Sequence, residues 1–98
     1  MLKQIEPQSE METLFFREKP ARLLVYVKRD QKAYASTLAK RIDCTYAHTV
    51  KLLDRMQQMG LVNFDRSGRI KYITLTSTGN DLAEHFESLI FRKLNGRK

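Results

Sequence analysis

The sequence predicts a mainly α-helical fold with one small β-hairpin (an α+β fold), and three observations in residues 32–98 predict it. Two helical patterns are separated by a tight break at residues 43–44. Two short β-patterned segments follow, joined by a basic turn that contains Gly68. Residues 76–98 then show one more helical stripe. Helix, turn, helix and hairpin in this order are the layout of a winged helix-turn-helix.

Length and composition restrict the class of protein. Ninety-eight residues, 42% of them hydrophobic, predict a single folded domain with a modest core. No apolar run reaches the roughly 18 residues of a membrane helix, and the first 16 residues lack the apolar core of a signal peptide. We therefore expect a cytoplasmic protein. A lone cysteine, Cys44, excludes an internal disulfide, and His48 and His85 lie too far apart to suggest a metal site, so we expect no cofactor.

The positive charge is concentrated in one part of the chain. Residues 1–18 carry a net charge of −2, residues 19–75 carry +8, and residues 76–98 carry +1, which together give +7. The excess therefore coincides with the predicted helix-turn-helix and wing. Neutralisation of nucleic-acid phosphates requires such a footprint, although charge alone is equally compatible with a soluble basic surface.

The N-terminal part divides into an arm and a helix. Residues 1–9 are polar, and residues 11–16 are apolar without a clear choice between helix and strand. Pro20 suits a first helical turn, because its missing N–H needs no partner there. We predict that a first helix begins at Pro20 and ends near residues 28–30, with Leu23, Leu24 and Val27 on its buried face. Residues 32–34 could add a third short strand.

The second and third helices form the predicted reading module. The second runs from Ser36 to Ile42, and the third lies between a capping Thr45 and the terminating Gly60. The apolar stripe of the third helix is Val50, Leu52, Leu53, Met56 and Met59. Small, aromatic and basic residues occupy its outward face, where they suit base edges and thymine methyl groups. The residues of these helices predicted to contact DNA are Ser36, Thr45, Tyr46, Ala47, His48, Lys51 and Arg55.

The predicted wing has strands at residues 61–64 and 69–75, with residues 65–68 as the turn. Ile73 and Leu75 are expected to face the core. Arg66, Arg69 and Lys71 are predicted to contact DNA, because a narrow minor groove attracts basic side chains. The alternative is a charged hairpin that only keeps a sheet edge soluble.

The last helix is predicted from residues 76–78 to about residue 95, with more apolar surface than a small module can cover. Such a surface is typical of a subunit interface, and a two-fold homodimer would place two reading helices on a palindromic site. The alternative is packing on the first helix within a monomer. The predicted interface residues are Leu14, Phe15, Leu82, Phe86, Leu89, Ile90 and Leu94.

Residues 20–83 resemble the winged-helix transcriptional regulators of the MarR type. The residues that carry the resemblance are Leu38-Ala39, Thr49-Val50, Leu53-Asp54-Arg55-Met56, Gly60-Leu61-Val62, Asp65, Arg69, Leu75-Thr76-Ser77-Thr78-Gly79 and Leu82. The resemblance implies a DNA-binding regulator that acts as a homodimer. The wing and flanking segments are shorter than is typical of the family, which implies a reduced regulator and leaves a small-molecule effector unspecified.

Other functions are compatible with parts of this pattern. A winged helix can be an interaction module of a larger complex, which would place apolar or acidic residues on the outward face. A non-specific chromatin protein would share the electrostatics but discriminate weakly between sequences, and RNA is a further possible ligand. The sequence shows no catalytic arrangement and no glycine-rich phosphate loop, so we expect no enzyme. Cys44, without a thiolate-stabilising neighbour, is interpreted as a packing residue.

Overall fold

A computed structural model of the protein describes the backbone of residues 12 and 14–95. It describes the side chains of these residues as far as residue 90. In chain order its elements are α1 (Glu18–Arg29), α2 (Ala35–Arg41), α3 (Tyr46–Gln58), β1 (Val62–Ser67), β2 (Ile70–Leu75) and α4 (Ser77–Asn95). This order confirms the predicted winged helix-turn-helix followed by a long helix. The predicted polar arm, residues 1–9, lies outside the described residues.

Helix α1 lies at the centre of the core. Leu23, Leu24 and Val27 are buried as predicted, and Val25 is buried as well. Just before α1, residues 12, 14 and 15 are helical, so the apolar segment that sequence left open is a helical turn. That turn places Leu14 and Phe15 in the core.

The turn between α2 and α3 is built around one residue with a left-handed backbone, Asp43, whose φ is +57°. The N–H of Cys44 donates to the carbonyl of Ala39 at 2.9 Å, and the N–H of Asp43 donates to that of Lys40 at 3.3 Å. This pair of hydrogen bonds is the Schellman motif, which usually has glycine at the left-handed position. The motif ends α2 and allows the chain to turn within a few residues into α3.

The predicted caps of α3 are confirmed. Thr45 Oγ1 accepts a hydrogen bond from the N–H of His48 at 3.1 Å, and Gly60, with φ of +78°, closes a second Schellman motif. The buried face is Thr49, Leu52, Leu53 and Met56. The predicted stripe was therefore displaced, because Val50 is only half-buried and Thr49 is buried in its place. The Thr49 hydroxyl can be buried because it donates to the carbonyl of Thr45 at 2.8 Å.

The hairpin is longer and its turn tighter than predicted. β1 continues to Ser67 and pairs in register with β2, so the predicted turn at residues 65–68 is wrong. Asp65 and Arg66 stand in the ladder, and only Gly68 and Arg69 remain in the loop. Gly68 has a φ of +65° at the first loop position, where type II′ turns place glycine. The possible third strand is a single bridge in which Ile73 N–H donates to the Ala33 carbonyl at 2.8 Å.

Helix α4 is attached to the end of α3 through Thr76. The N–H of Thr76 donates to the Leu61 carbonyl at 3.0 Å, and its hydroxyl donates to the Gly60 carbonyl at 2.7 Å. The same hydroxyl oxygen accepts from the N–H of Gly79 at 2.9 Å, which caps the helix. Gly79 itself is buried against the backbone of Leu61.

An ion-pair cluster joins the end of α1 to α4. Glu87 Oε2 accepts from Arg29 Nε at 2.8 Å, and Glu87 Oε1 lies 3.1 Å from Lys28 Nζ. The hydrogen bonds from Arg29 and then Lys28 lower the pKa of the Glu87 carboxyl below its ordinary value.

No helix among the described residues is long and apolar enough to cross a membrane.

Candidate nucleic-acid interface

One side of α3 is exposed and forms a ridge at the surface. Because Thr49, Leu52, Leu53 and Met56 bury the opposite side, the helical repeat directs a different set of side chains outward. This outward set, called the α3 ridge here, is Ala47, Lys51, Asp54 and Gln58. The predicted contact residues Ala47 and Lys51 therefore lie on the most prominent part of the helix.

A groove of about 500 Å³ separates α3 from the wing, and we call it the wing groove. The start of α2, the side of α3 and the inner face of the hairpin form its walls. Of the predicted contact residues, it brings together Ser36, Tyr46, Arg66, Arg69 and Lys71. It also includes residues that the sequence did not indicate, namely Tyr34, Ala35, Val50, Leu53, Asp54, Phe64, Ile70 and Ile73.

The strand register places two positive charges side by side on the wing. Arg66 of β1 stands directly opposite Lys71 of β2, and both side chains are exposed. Like charges at directly opposed positions destabilise a hairpin. Lys71 Nζ lies 4.6 Å from the centre of the Phe64 ring, which offers it a cation–π contact. Arg69 adds a third positive charge at the hairpin loop.

The ion pairs of the described residues lie away from these cations. They join Arg22 to Glu18, Lys28 and Arg29 to Glu87, and Arg41 to Asp30, all on α1, α2, α4 or the loop after α1. Within residues 14–90, Lys51, Arg66 and Arg69 form no ion pair with an acidic side chain. The cations of the ridge and the wing are therefore not held in salt bridges by acidic side chains of the described residues.

His48 and Arg55 lie on the other side of α3, away from the wing. They line a second groove, of about 350 Å³, between α3 and the start of α1. The structure therefore does not bring all ten predicted contact residues onto one surface. Thr45 is exposed at the start of α3, where its hydroxyl oxygen already accepts the capping hydrogen bond from His48.

The residues predicted for a subunit interface are distributed between the core and the surface. Leu14 and Phe15 are already buried within one chain, and the ring centres of Phe15 and Phe86 are 5.2 Å apart. Leu82, Phe86 and Ile90 are half-buried, whereas Leu89 is 68% exposed. The side chain of Leu94 lies outside the described residues. Phe16, which belongs to the same apolar segment and was expected to cover the core or a partner subunit, is 83% exposed in the single chain.

No three His, Cys, Asp or Glu side chains among the described residues lie together in a way that could hold a metal ion. Cys44 is a free, half-buried thiol in the turn between α2 and α3, and its side chain packs against the core.

Comparisons with known proteins establish the fold. No protein-family model matches the sequence, and no curated protein matches it. Solved structures do match. AF1382 from Archaeoglobus fulgidus superposes with a TM-score of 0.70 at 21% identity, covering 82% of this chain and 92% of that one. MepR, a transcription regulator of the Staphylococcus aureus multidrug efflux pump MepA, gives 0.69 at 21% identity, covering 93% and 72%. The chain has a MarR-like winged-helix fold.

A third solved structure contains the ligand that the sequence resemblance implies. Lactococcus lactis ZitR in complex with DNA matches this winged helix with a TM-score of 0.66 at 15% identity, covering 82% of this chain and 60% of that one. At these identities the likeness concerns the fold. The predicted fold class and the predicted family resemblance are thereby confirmed at the level of the fold.

Proposed function

We propose that this winged-helix protein is a transcriptional regulator that binds double-stranded DNA sequence-specifically. In this proposal α3 enters the major groove and the wing follows the adjacent backbone or minor groove. The proposal rests on the fold together with the distribution of exposed charge on α3 and the wing.

The opposition of Arg66 and Lys71 on the wing is the observation that carries the proposal. Within the free protein two adjacent cations repel each other, and no described acidic side chain pairs with Arg66. A phosphate group placed between them would convert the repulsion into two charge-assisted hydrogen bonds. A hairpin that served only to keep a sheet edge soluble would gain nothing from placing these cations opposite each other.

The exposed face of α3 has the size and chemistry for a major groove. A helix is about 10–12 Å across with its side chains, and the B-DNA major groove is about 12 Å wide. Near the start of α3, Tyr46, Ala47 and Lys51 are exposed. The Ala47 methyl group suits a thymine methyl, and the Lys51 ammonium suits guanine acceptors. Lys51 and Asp54 balance each other in charge on this face, so the argument against an interaction module rests on the wing, where Arg66, Arg69 and Lys71 are basic rather than apolar or acidic.

Relatives in fold support the same ligand. ZitR was solved in complex with DNA, and a MepR mutant was solved bound to an oligodeoxyribonucleotide. We propose in addition that two chains associate through the exposed part of α4. Leu89 is the most exposed large apolar side chain of the described part of that helix, and a two-fold pair would present two α3 ridges to a palindromic site.

The direct test is fluorescence anisotropy of a labelled mixed-sequence duplex, titrated with protein at about 50 and 200 mM salt. We expect binding that weakens by at least tenfold between the two salt concentrations, because each phosphate contact releases counterions. Selection from random duplexes should then enrich one motif. Binding without enrichment would favour a non-specific chromatin protein, and no binding at low salt would contradict the proposal.

Two substitutions distinguish contacts that recognise bases from contacts that only bind the DNA backbone. Lys51→Ala should weaken binding and change the preferred base at one position, because Lys51 stands on the α3 ridge. Arg69→Ala should weaken binding to all sequences and lower the slope of log affinity against log salt by about 0.9. Selection and salt titration of both variants measure the two effects. Unchanged affinity and preference in the double variant would reject the assigned face.

A further inference from the structure

We propose that the groove on the far side of α3 from the wing binds a DNA backbone phosphate. The protein would then contact the backbones of both DNA strands, one on each side of α3. This α1 groove is lined by Leu14, Arg17, Glu18, Lys19, Pro20, His48, Leu52 and Arg55. The inference rests on the proposed DNA binding and extends it to a second surface, on which the predicted contact residues His48 and Arg55 lie. Arg17 and Lys19 are its new members.

The position of the groove follows from the geometry of a helix in the major groove. His48 and Arg55 are seven residues apart and share one side of α3, whereas Tyr46 and Val50 are four apart and share the other. The α3 ridge lies between these two sides. Because a helix nearly fills the width of the major groove, its two sides face the backbones of the two strands. The wing meets one backbone, and the α1 groove is placed to meet the other.

The charges of the groove suit a phosphate. Arg17, Lys19 and Arg55 contribute three positive charges, and the groove contains one carboxylate, that of Glu18. Glu18 Oε2 lies 3.4 Å from Arg22 Nε, so part of its charge is balanced from outside the groove. Leu14, Pro20 and Leu52 are buried beneath these polar groups. The groove is therefore a basic surface over a packed floor.

The walls of the groove are held at a fixed distance from each other. Lys19 Nζ donates to the carbonyl of Asp43 at 2.5 Å, which ties the start of α1 to the turn that leads into α3. Leu14 and Leu52, which come from opposite sides of the groove and meet in its floor, belong to the same core. A phosphate site built this way does not have to order mobile segments when DNA binds, which favours affinity.

The test uses side chains of opposite charge in the same groove. Arg17→Gln should weaken binding to the selected duplex about threefold to fivefold at about 0.1 M salt and reduce the salt slope by about 0.9, without changing sequence preference. Glu18→Gln should have the opposite sign and tighten binding. Lys32→Gln is the matched control, because Lys32 is exposed in the loop between α1 and α2 and lines neither groove. It should change affinity less than twofold, since salt screens distant charges.

The outcomes separate this proposal from the proposed function. If the wild type binds DNA and both groove variants match it in affinity and salt slope, the α1 groove is not a phosphate site. Equal weakening by Arg17→Gln and Lys32→Gln would also reject it, because only net charge would then matter. If the wild type itself does not bind at low salt, DNA binding as such is refuted. Thermal unfolding of each variant confirms that it is folded.

Discussion

Replacing Gly79 by alanine should destabilise the protein far more than a single methyl group suggests. A Cβ at this position would lie 1.9 Å from the carbonyl oxygen of Leu61 and 2.8 Å from its carbonyl carbon. Ordinary contacts require more than 3 Å, so the start of α4 would have to move by at least about 1 Å. Both contacting atoms belong to the backbone, which cannot rotate away as a flexible side chain can.

The magnitude follows from what holds the start of α4 in place. Thr76 forms hydrogen bonds to the carbonyls of Gly60 and Leu61 and caps Gly79, and Ala83 is fully buried one turn later. Loss of two such hydrogen bonds costs about 2 kcal/mol, and the displaced packing adds about 1–3 kcal/mol. The better helix propensity of alanine returns about 0.5–1 kcal/mol. The net loss should be about 2–4 kcal/mol, or roughly 10–25 °C in Tm.

Urea denaturation, monitored by circular dichroism, measures this loss in the free energy of unfolding. Gly68→Ala provides a comparison, because a Cβ there meets nothing within 4 Å and only the positive φ is strained. It should cost about 1–2 kcal/mol. Ser88→Ala, on the exposed side of α4, should change stability by less than about 0.5 kcal/mol. If Gly79→Ala is no less stable than Gly68→Ala, the close approach of α4 to Leu61 is not a fixed feature of the fold.

Three further predictions concern the turn, the ion-pair cluster and the proposed dimer. Asp43→Gly should stabilise the protein by about 1 kcal/mol in urea denaturation, because glycine adopts the left-handed conformation without strain; a loss of stability would contradict this. The lowered pKa of Glu87 implies a contribution to stability that is present above its ordinary value of 4.5 and is lost as the pH falls through the folded-state value. Thermal unfolding between pH 6 and 3 should therefore show a smaller decrease in Tm for Glu87→Gln than for the wild type, and parallel curves would refute the linkage. Leu89→Asp should halve the sedimentation mass without unfolding the chain, since Leu89 is exposed in a single chain, whereas Phe86 packs on Phe15 and would report on folding instead. An unchanged mass would reject α4 as the dimer interface.

Local signals were sufficient to predict the order of the elements. Thr45 and Gly60 mark the ends of α3 through hydrogen-bonding and backbone preferences that act within a few residues. The apolar repeat of α1 likewise identified Leu23, Leu24 and Val27 as core residues. These features depend on neighbours in sequence, and a winged helix-turn-helix could be recognised from them before its tertiary packing was known.

The tertiary structure decided which charged residues share a surface. Arg66 and Lys71 are opposed because the ladder continues past the predicted turn, and ladder length depends on pairing between strands. His48 and Arg55 belong to a groove with Arg17 because the start of α1 and the turn before it lie across from α3, although more than 25 residues separate them in sequence. The sequence by itself determined the order of the helices, the caps of α3 and the basic character of the reading module. The division of that module into a ridge and two grooves required long-range packing, since spacing along one helix does not specify which neighbour lies on each side.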